Sequence, residues 1–329
     1  MSDHPRIFDC FTFFDELDLL QIRLDEVGSI VDRFVLVEAT KTFQGDDKPL
    51  VFEREKMRFA PWLDKIEHVI IDFPAVIPHL SNKSAKTWGK DRATAWDREF
   101  YQRDQILRGL NGAGPNDLIM VSDIDEIPRR TALEQMLARK TYAGKLLVFL
   151  MRYYRFYLNC RTVPAVNGPA PTVDDRTKEL TVRGFEFGSS PDNDEWNGLH
   201  LIERRYLTTP SKLRRARIDP PKFWRKIGLG DLGLRLRNQQ LVGMSNPVVK
   251  LHDSGWHFSS LGGHEEWVKK AAAFSHAEYK DTIEYRSKEA FDRWFRQHEI
   301  VPIDDLPDAV GRNPDAWRHR IYSPESSGS

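Results

Sequence analysis

Apolar positions in the first third of the chain follow two spacings in turn. Ile7 to Phe13 is a short apolar and aromatic run, which predicts a buried strand. Leu17, Leu20, Leu24 and Val27 then recur at helical spacing. Asp15 and Glu16 stand before them, where a helix N-terminus favours negative charge. Arg33 to Glu38 predicts a second strand. Strand, helix and strand within about 30 residues make a βαβ unit, which implies a parallel pair. His68 to Ile71 offers a third strand, stopped by Asp72-Phe73-Pro74. A long helix over Arg92 to Leu110 puts Trp96, Phe100, Leu107 and Leu110 on one face, with Arg103 in the middle of it. Asn111-Gly112-Ala113-Gly114-Pro115 ends that helix. Leu118 to Val121 is a further buried strand, leading into Ser122-Asp123-Ile124-Asp125-Glu126-Ile127-Pro128. Lys145 to Leu158 predicts one or two strands.

The pattern weakens from Arg161 to Pro221, where Pro164, Gly168, Pro169, Pro171, Gly184, Gly188, Pro191, Gly198, Pro210 and Pro220 interrupt it. This stretch reads as a loop-rich insertion. Its end is basic, with Arg204, Arg205, Lys212, Arg214, Arg215 and Arg217, and reads more simply as a solvated face than as an anion site. Val248 to Phe258 is strand-like, and Trp267 to Phe274 and Ala290 to Phe295 are helix-like. The chain therefore divides into a first half over 1–160, an insertion over 161–222, a C-terminal part over 223–315 and a polar tail over 316–329.

Composition narrows the class. The chain has 329 residues, with 49 basic and 49 acidic side chains, and is 40% hydrophobic. That supplies a large core and argues against a general nucleic-acid binder, which would be basic. Cys10 and Cys160 are the only cysteines, so no disulfide framework or thiolate metal site is expected. The longest run of strong hydrophobes, Leu146 to Met151, is far short of a membrane span. A cytoplasmic protein with no transmembrane segment is the expectation.

Asp123-Ile124-Asp125 is the central chemical feature. With 29 aspartates, chance alone gives roughly two or three such spacings, and Asp192-Asn193-Asp194 is another. Only the first follows directly on a buried strand. Ligands of open α/β sheets bind at the carboxyl ends of strands, and adjacent carboxylates there repel unless a cation joins them. Hard oxygen ligands suit Mn²⁺ or Mg²⁺, which usually carry substrate phosphates. A solvated turn capping the next helix is the competing account. The second cluster, Lys250 to Ser259, holds His252 and His257, and four of the ten histidines fall between 252 and 276. His257 is a candidate third ligand and Trp256 a candidate stacking surface. Arg103, within its apolar stripe, needs a buried anion; Glu99 one turn away is the local candidate and a diphosphate the other.

Taken together, these segments resemble glycosyltransferase family 17. The resemblance rests on Ile7-Phe8-Asp9-Cys10-Phe11-Thr12-Phe13-Phe14-Asp15-Glu16-Leu17-Asp18-Leu19-Leu20, Phe34 to Phe43 with Lys48-Pro49-Leu50, Arg98-Glu99-Phe100-Tyr101-Gln102-Arg103, Val121 to Pro128, and Gly255-Trp256-His257-Phe258-Ser259. It implies an α/β fold of the GT-A type, a Rossmann-like nucleotide-sugar half joined to a loop-rich acceptor half. It implies a UDP-sugar donor, most simply UDP-GlcNAc, a divalent cation, an inverting reaction, and a glycan or other hydroxyl acceptor. On these residues Asp123, Asp125 and His257 would hold the metal. Thr12, Glu16, Glu38, Thr40, Arg98, Arg103, Asp123 and Trp256 would contact the donor. Asp253, Glu126 and Glu195 are the candidate bases, Asp253 first because it lies near His257 in sequence. Trp196 and Trp224 are candidate sugar platforms.

Two other readings compete. A phosphohydrolase could use Asp123 as its nucleophile, but such enzymes place Asp-x-Asp after an early strand and follow it with Thr or Val. Here Glu-Ile-Pro follows a third or fourth strand. A non-catalytic carbohydrate-binding protein would bind glycans without metal or nucleotide.

Overall fold

The computed structural model describes residues 5–77, 90–162, 172–173, 180–181, 195–216, 218–220, 222–242, 246–273 and 287–323. In chain order its strands are β1 (Ile7–Phe13), β2 (Arg33–Ala39), β3 (Ile66–Ile71), β4 (Leu118–Asp123), β5 (Glu126–Pro128), β6 (Leu146–Arg155), β7 (Cys160–Arg161), β8 (Thr172–Val173), β9 (Leu180–Thr181), β10 (Glu195–Glu203), β11 (Val248–Leu251), β12 (Gly255–Ser259) and β13 (Glu299–Ile300). The helices that matter below are α1 (Leu17–Val27), α2 (Val51–Glu55), α3 (Lys90–Asp104), α4 (Ile106–Gly109), α5 (Arg130–Ala138), α6 (Pro210–Arg214), α7 (Lys222–Lys226), α8 (Gly230–Val242), α9 (Gly263–Ala273) and α10 (Lys288–Phe295).

One eleven-stranded sheet organises the described residues, in the order β13-β7-β6-β10-β4-β1-β2-β3, with β11 and β12 pairing with β6 and β5 pairing with β12. Strands β3, β2, β1 and β4 are parallel. β10 then runs antiparallel between β4 and β6. The chain steps from β1 outward to β2 and β3 and returns to β4 on the other side of β1. That reversal makes a topological switch point between β1 and β4, where α/β sheets bind ligands. This is the mixed α/β, Rossmann-like arrangement expected of a GT-A type fold. Period-2 alternation splits the core in two. Phe11, Phe34, Leu36 and Met120 face α1 on one side, and Cys10, Val35, Val37 and Val121 face α4 and α6 on the other.

Three expectations need correction. The Arg92–Leu110 helix breaks at Gln105 into α3 and α4. The supposed loop-rich stretch contains β10, nine residues long and interior to the sheet. Its apolar content was hidden by Gly198, where a register shift lets the strand pack so closely that an added Cβ would lie 2.6 Å from Met151 Sδ. The polar tail also starts later than 316, because Trp317 is buried and Tyr322 N donates to Asn159 Oδ1. Asp192-Asn193-Asp194, His276 and Arg217 lie outside the described residues. No helix among those described is long and apolar enough to cross a membrane.

The C-terminal segment is anchored on α1 by charge. Asp18 accepts hydrogen bonds from Arg58 Nη2 at 2.8 Å and Arg320 Nε at 2.8 Å, and His319 Nε2 lies 3.0 Å away. Burial opposes its charge, but Arg58, Arg320 and His319 outweigh it and hold the carboxyl down to about 2. A carboxyl lowered from an unfolded value of about 3.9 contributes stability that is full above that pH and lost as pH falls through about 2. Asp18→Asn is expected to flatten the fall in urea midpoint across that window. An unchanged pH slope would remove Asp18 from the account.

Candidate active site

The site forms where β4 ends. Thr12, half-buried, pairs in register with Asp123 across the switch point. The turn after Asp123 is built from below by Arg23, a fully buried guanidinium on α1. It pairs with buried Asp9 through Nε–Oδ2 at 2.7 Å and Nη2–Oδ1 at 2.6 Å. Its Nη1 donates to the carbonyls of Asp123, Ile124 and Glu126 at 3.2, 3.3 and 2.9 Å, and Nη2 to Ser122 Oγ at 2.7 Å. Three carbonyls converging on one cation fix the path of the Asp-Ile-Asp-Glu turn.

Cations meet the carboxylates of that turn. Arg103 Nη2 donates to Asp123 Oδ1 at 2.9 Å and to Glu99 Oε1 at 2.8 Å, so the local partner expected for Arg103, Glu99, is present and Asp123 joins it. Arg214 Nη2 lies 3.7 Å from Asp123 Oδ2 and donates to Glu126 Oε1 at 2.7 Å. Lys270, from α9, donates to Asp125 Oδ2 at 3.1 Å. Burial works against the charge on Asp123, but Arg103 and Arg214 overcome it and hold the carboxyl below the ordinary range. For Asp125 burial is likewise outweighed, by Lys270 and then His257, and its carboxyl lies far below the ordinary range. Glu126 moves the other way, raised chiefly by burial. Glu16, which accepts from Phe14 N at 3.0 Å, is pushed up to about 7 by burial and then by Asp15, with Asp125 adding to it.

His257 enters from β12, which runs beside β6. Its ring stacks on Tyr153 at 4.6 Å and contacts Trp196 at 4.5 Å, and Trp196 Nε1 donates to Glu126 Oε1 at 2.9 Å. His257 Nε2 is 3.6 Å from Asp125 Oδ1, and its buried Nδ1 has no protein partner. Gly255 makes this possible, since a Cβ there would sit 2.4 Å from the Ile127 carbonyl. A carboxylate oxygen and an imidazole nitrogen at this separation are a donor pair suited to Mn²⁺. Among the described residues no three His, Cys, Asp or Glu side chains converge on one point. Asp123, expected as a ligand alongside Asp125, faces Arg103 and Arg214 instead.

Several expected residues lie elsewhere. Along β12 successive side chains take opposite faces. Trp256 therefore points away from His257 into the core, its Nε1 donating to the Asp305 carbonyl at 2.6 Å under the Arg129 guanidinium. Buried there, it offers no stacking surface. Glu195 and Asp253 share that other face. Glu195 Oε1 accepts from Asp253 N at 2.6 Å, and Asp253 Oδ1 accepts from Arg152 Nε at 2.9 Å. Sequence proximity of Asp253 to His257 misled because a left-handed residue, Asp253 with φ 47°, turns the chain between β11 and β12. Of the three candidate bases, only Glu126 is at the site. Glu38 is fully buried and binds inward: Oε1 accepts from Val51 N and Lys48 Nζ, and Oε2 lies 3.0 Å from His68 Nε2. Thr40 Oγ1 donates to Asp72 Oδ1 at 2.9 Å, and Arg98 Nη1 to the Phe43 carbonyl at 2.8 Å. Trp224 packs against Gly233 of α8 rather than at the site. The reading from sequence missed Lys270, which nothing in its local pattern marks, and treated Arg214 as solvated. It also missed Asp9 and Arg23, although a charge inside the apolar run of β1 and another in the apolar stripe of α1 were visible.

Residues 1–161 match the family model described as glycosyltransferase family 17. The chain is similar to the β-1,4-mannosyl-glycoprotein 4-β-N-acetylglucosaminyltransferase of Rattus norvegicus, 31% identical over 344 residues, covering 97% of this chain and 55% of that one. The Homo sapiens protein of the same name is 31% identical over 215 residues, covering 63% and 35%. The chain thus spans about half the length of the Rattus norvegicus relative. Among solved structures it is similar to the inositol-1-phosphate CTP transferase of T. maritima, with a TM-score of 0.36, 11% identity, and 90% and 96% of the two chains covered. From the match over residues 1–161 and the identity that runs along nearly its whole length, the chain belongs to glycosyltransferase family 17.

Proposed function

We propose that the protein is a metal-dependent, inverting glycosyltransferase that moves N-acetylglucosamine from UDP-GlcNAc to a hydroxyl of a glycan acceptor. The observation that carries this reading is the concentration of Arg103, Arg214 and Lys270 on Asp123, Glu126 and Asp125 at the β1/β4 switch point. Such a group can exchange its internal ion pairs for a diphosphate without gathering charge from outside. Arg103 Nε is buried with no protein partner, and an unmet buried donor costs about 1–3 kcal/mol; a phosphate oxygen would satisfy it. The choice of donor sugar is supported by the relatives' names, which state an N-acetylglucosaminyl transfer.

Asp125 and His257 would hold Mn²⁺ or Mg²⁺, which would help to bind the diphosphate, as these ions usually do. A cation there would offset the negative charge that builds on the departing UDP. The chain's own residues bind and orient the donor. Thr12 and Glu16 border the nucleotide, Arg103 and Arg214 orient the phosphates, and half-buried Trp196 faces the sugar. Glu126 has both oxygens engaged, by Trp196, Arg214 and Asp123 N. It therefore holds Trp196 and Arg214 in place rather than reaching the acceptor hydroxyl.

A ligand that binds only the folded protein stabilises it by RT ln(1 + [L]/Kd), about 2.7 kcal/mol at a hundredfold excess over Kd. UDP-GlcNAc with Mn²⁺ is expected to raise the melting temperature more than either alone, and more than UDP-glucose or a purine nucleotide sugar. Equal shifts with and without Mn²⁺ would overturn the metal, and equal shifts among sugars would overturn the donor.

A further inference from the structure

We propose that the α7–α8 hairpin docks the protein on an anionic lipid bilayer. Nine large hydrophobic side chains are exposed among the described residues, and five of them fall between 223 and 236. They are Phe223, Ile227, Leu229, Leu232 and Leu236, exposed by 65, 49, 47, 48 and 41%. Isolated apolar residues on a surface need no explanation, but a contiguous group marks an interaction site.

The hairpin is built to hold these residues outward. Gly233 of α8 packs so closely on Trp224 of α7 that an added Cβ would meet the Trp224 side chain at 2.3 Å. This contact closes the inner side of the pair, together with buried Asn238. Phe223 lies on α7, and Ile227 directly follows that helix, four residues on. On α8, Leu232, Arg235, Leu236 and Gln239 follow the spacing of a single helical face, opposite Gly233 and Asn238. The apolar row is therefore the outer side of a folded element.

Charge selects the partner. Arg225, Lys226, Arg235 and Arg237 are all exposed on this hairpin, and Asp231 is its one acidic residue. The chain as a whole is neutral, so the excess of positive charge is local. Apolar side chains interleaved with arginine and lysine fit the boundary between acyl chains and anionic headgroups, where the stems of the basic residues lie along the apolar zone. The hairpin contacts α6, which carries Arg214 into the site, so docking would set the site close to the bilayer. This surface stands apart from the proposed transfer reaction and is tested without donor or acceptor.

The experiment is co-sedimentation of the whole protein with vesicles of phosphatidylcholine alone and of phosphatidylcholine mixed with phosphatidylglycerol. Binding to the mixed vesicles, weakened by salt, is expected. Two variants, Leu232→Ser with Leu236→Ser and Arg235→Glu with Arg237→Glu, should each lower the partition coefficient by about tenfold or more, each basic side chain near such a surface contributing about fivefold. All four positions are exposed, and unchanged melting temperatures confirm folding. Absence of binding, equal binding to the neutral vesicles, or retention by both variants would overturn the proposal. So would concentration-dependent self-association of wild type that the leucine variant abolishes, which would assign the face to a second copy of the chain.

Discussion

Replacing Arg23 with methionine is expected to lower folding stability by about 3–5 kcal/mol, the cost of leaving a buried charge without its partner. Asp9 is fully buried and both its carboxylate oxygens bond Arg23. In the variant it must either stay ionised in the core or bind a proton. The carbonyls of Asp123, Ile124 and Glu126 lose their shared donor as well. A second variant separates the two losses. Arg23→Met with Asp9→Leu removes both charges and should regain much of the stability, because an apolar pair of similar volume can replace a buried ion pair at little cost. It does not restore the donor beneath the turn. Transfer activity should therefore stay low in the double variant while its urea midpoint recovers. If activity returned with stability, Arg23 would be a core residue and nothing more. If the double variant were no more stable than the single one, the account from buried charge would fail.

The same pair shows how far the fold and site could be read from the residues. Strands β1, β2, β3 and β4 and helix α1 follow from apolar spacing, because each is a local pattern with one buried face, and the parallel β1–β2 pair follows from the helix between them. The Asp-Ile-Asp turn was legible for the same reason: it directly follows a buried strand. β10 was not, because a glycine and a register shift at Gly198 break its alternation, and what makes it a strand is pairing with β4 and β6, distant in sequence. Lys270 and Arg214 come to Asp125 and Glu126 from 145 and 88 residues away. No spacing rule reaches across such separations. Asp253 illustrates the opposite error, in which four residues of separation from His257 become opposite faces of one sheet. Arg103 was flagged because a charge in an apolar stripe requires a buried anion. The rule applies equally to Arg23, next to Leu24 and three residues after Leu20, and to Asp9 within β1.

Asp125→Asn should reduce turnover by on the order of 10²–10³, the range for removing one preorganised group that meets charge in a transition state. The substitution keeps the shape of the side chain and removes its charge. Two separable consequences follow. The carboxylate is the anionic member of the Asp125–His257 pair, so the extra thermal stabilisation by Mn²⁺ in the presence of UDP-GlcNAc should vanish. Lys270, whose ammonium burial opposes and Asp125 and then Glu16 support, loses its nearest counter-charge and should cost the protein stability without ligand. Lys270→Met divides these effects. It leaves the carboxylate and His257 in place, so the Mn²⁺-dependent shift should persist and tighten, because the metal no longer competes with an ammonium 3.1 Å from Asp125 Oδ2. Turnover should nevertheless fall, since one of the cations beside the diphosphate is gone. A metal-dependent shift retained in Asp125→Asn would exclude that carboxylate as a ligand. A Mn²⁺ dependence that disappears in Lys270→Met would mean that the lysine supports the site and does not compete for it. The two variants differ in sign on metal affinity and agree on turnover, a combination that simple loss of fold cannot produce.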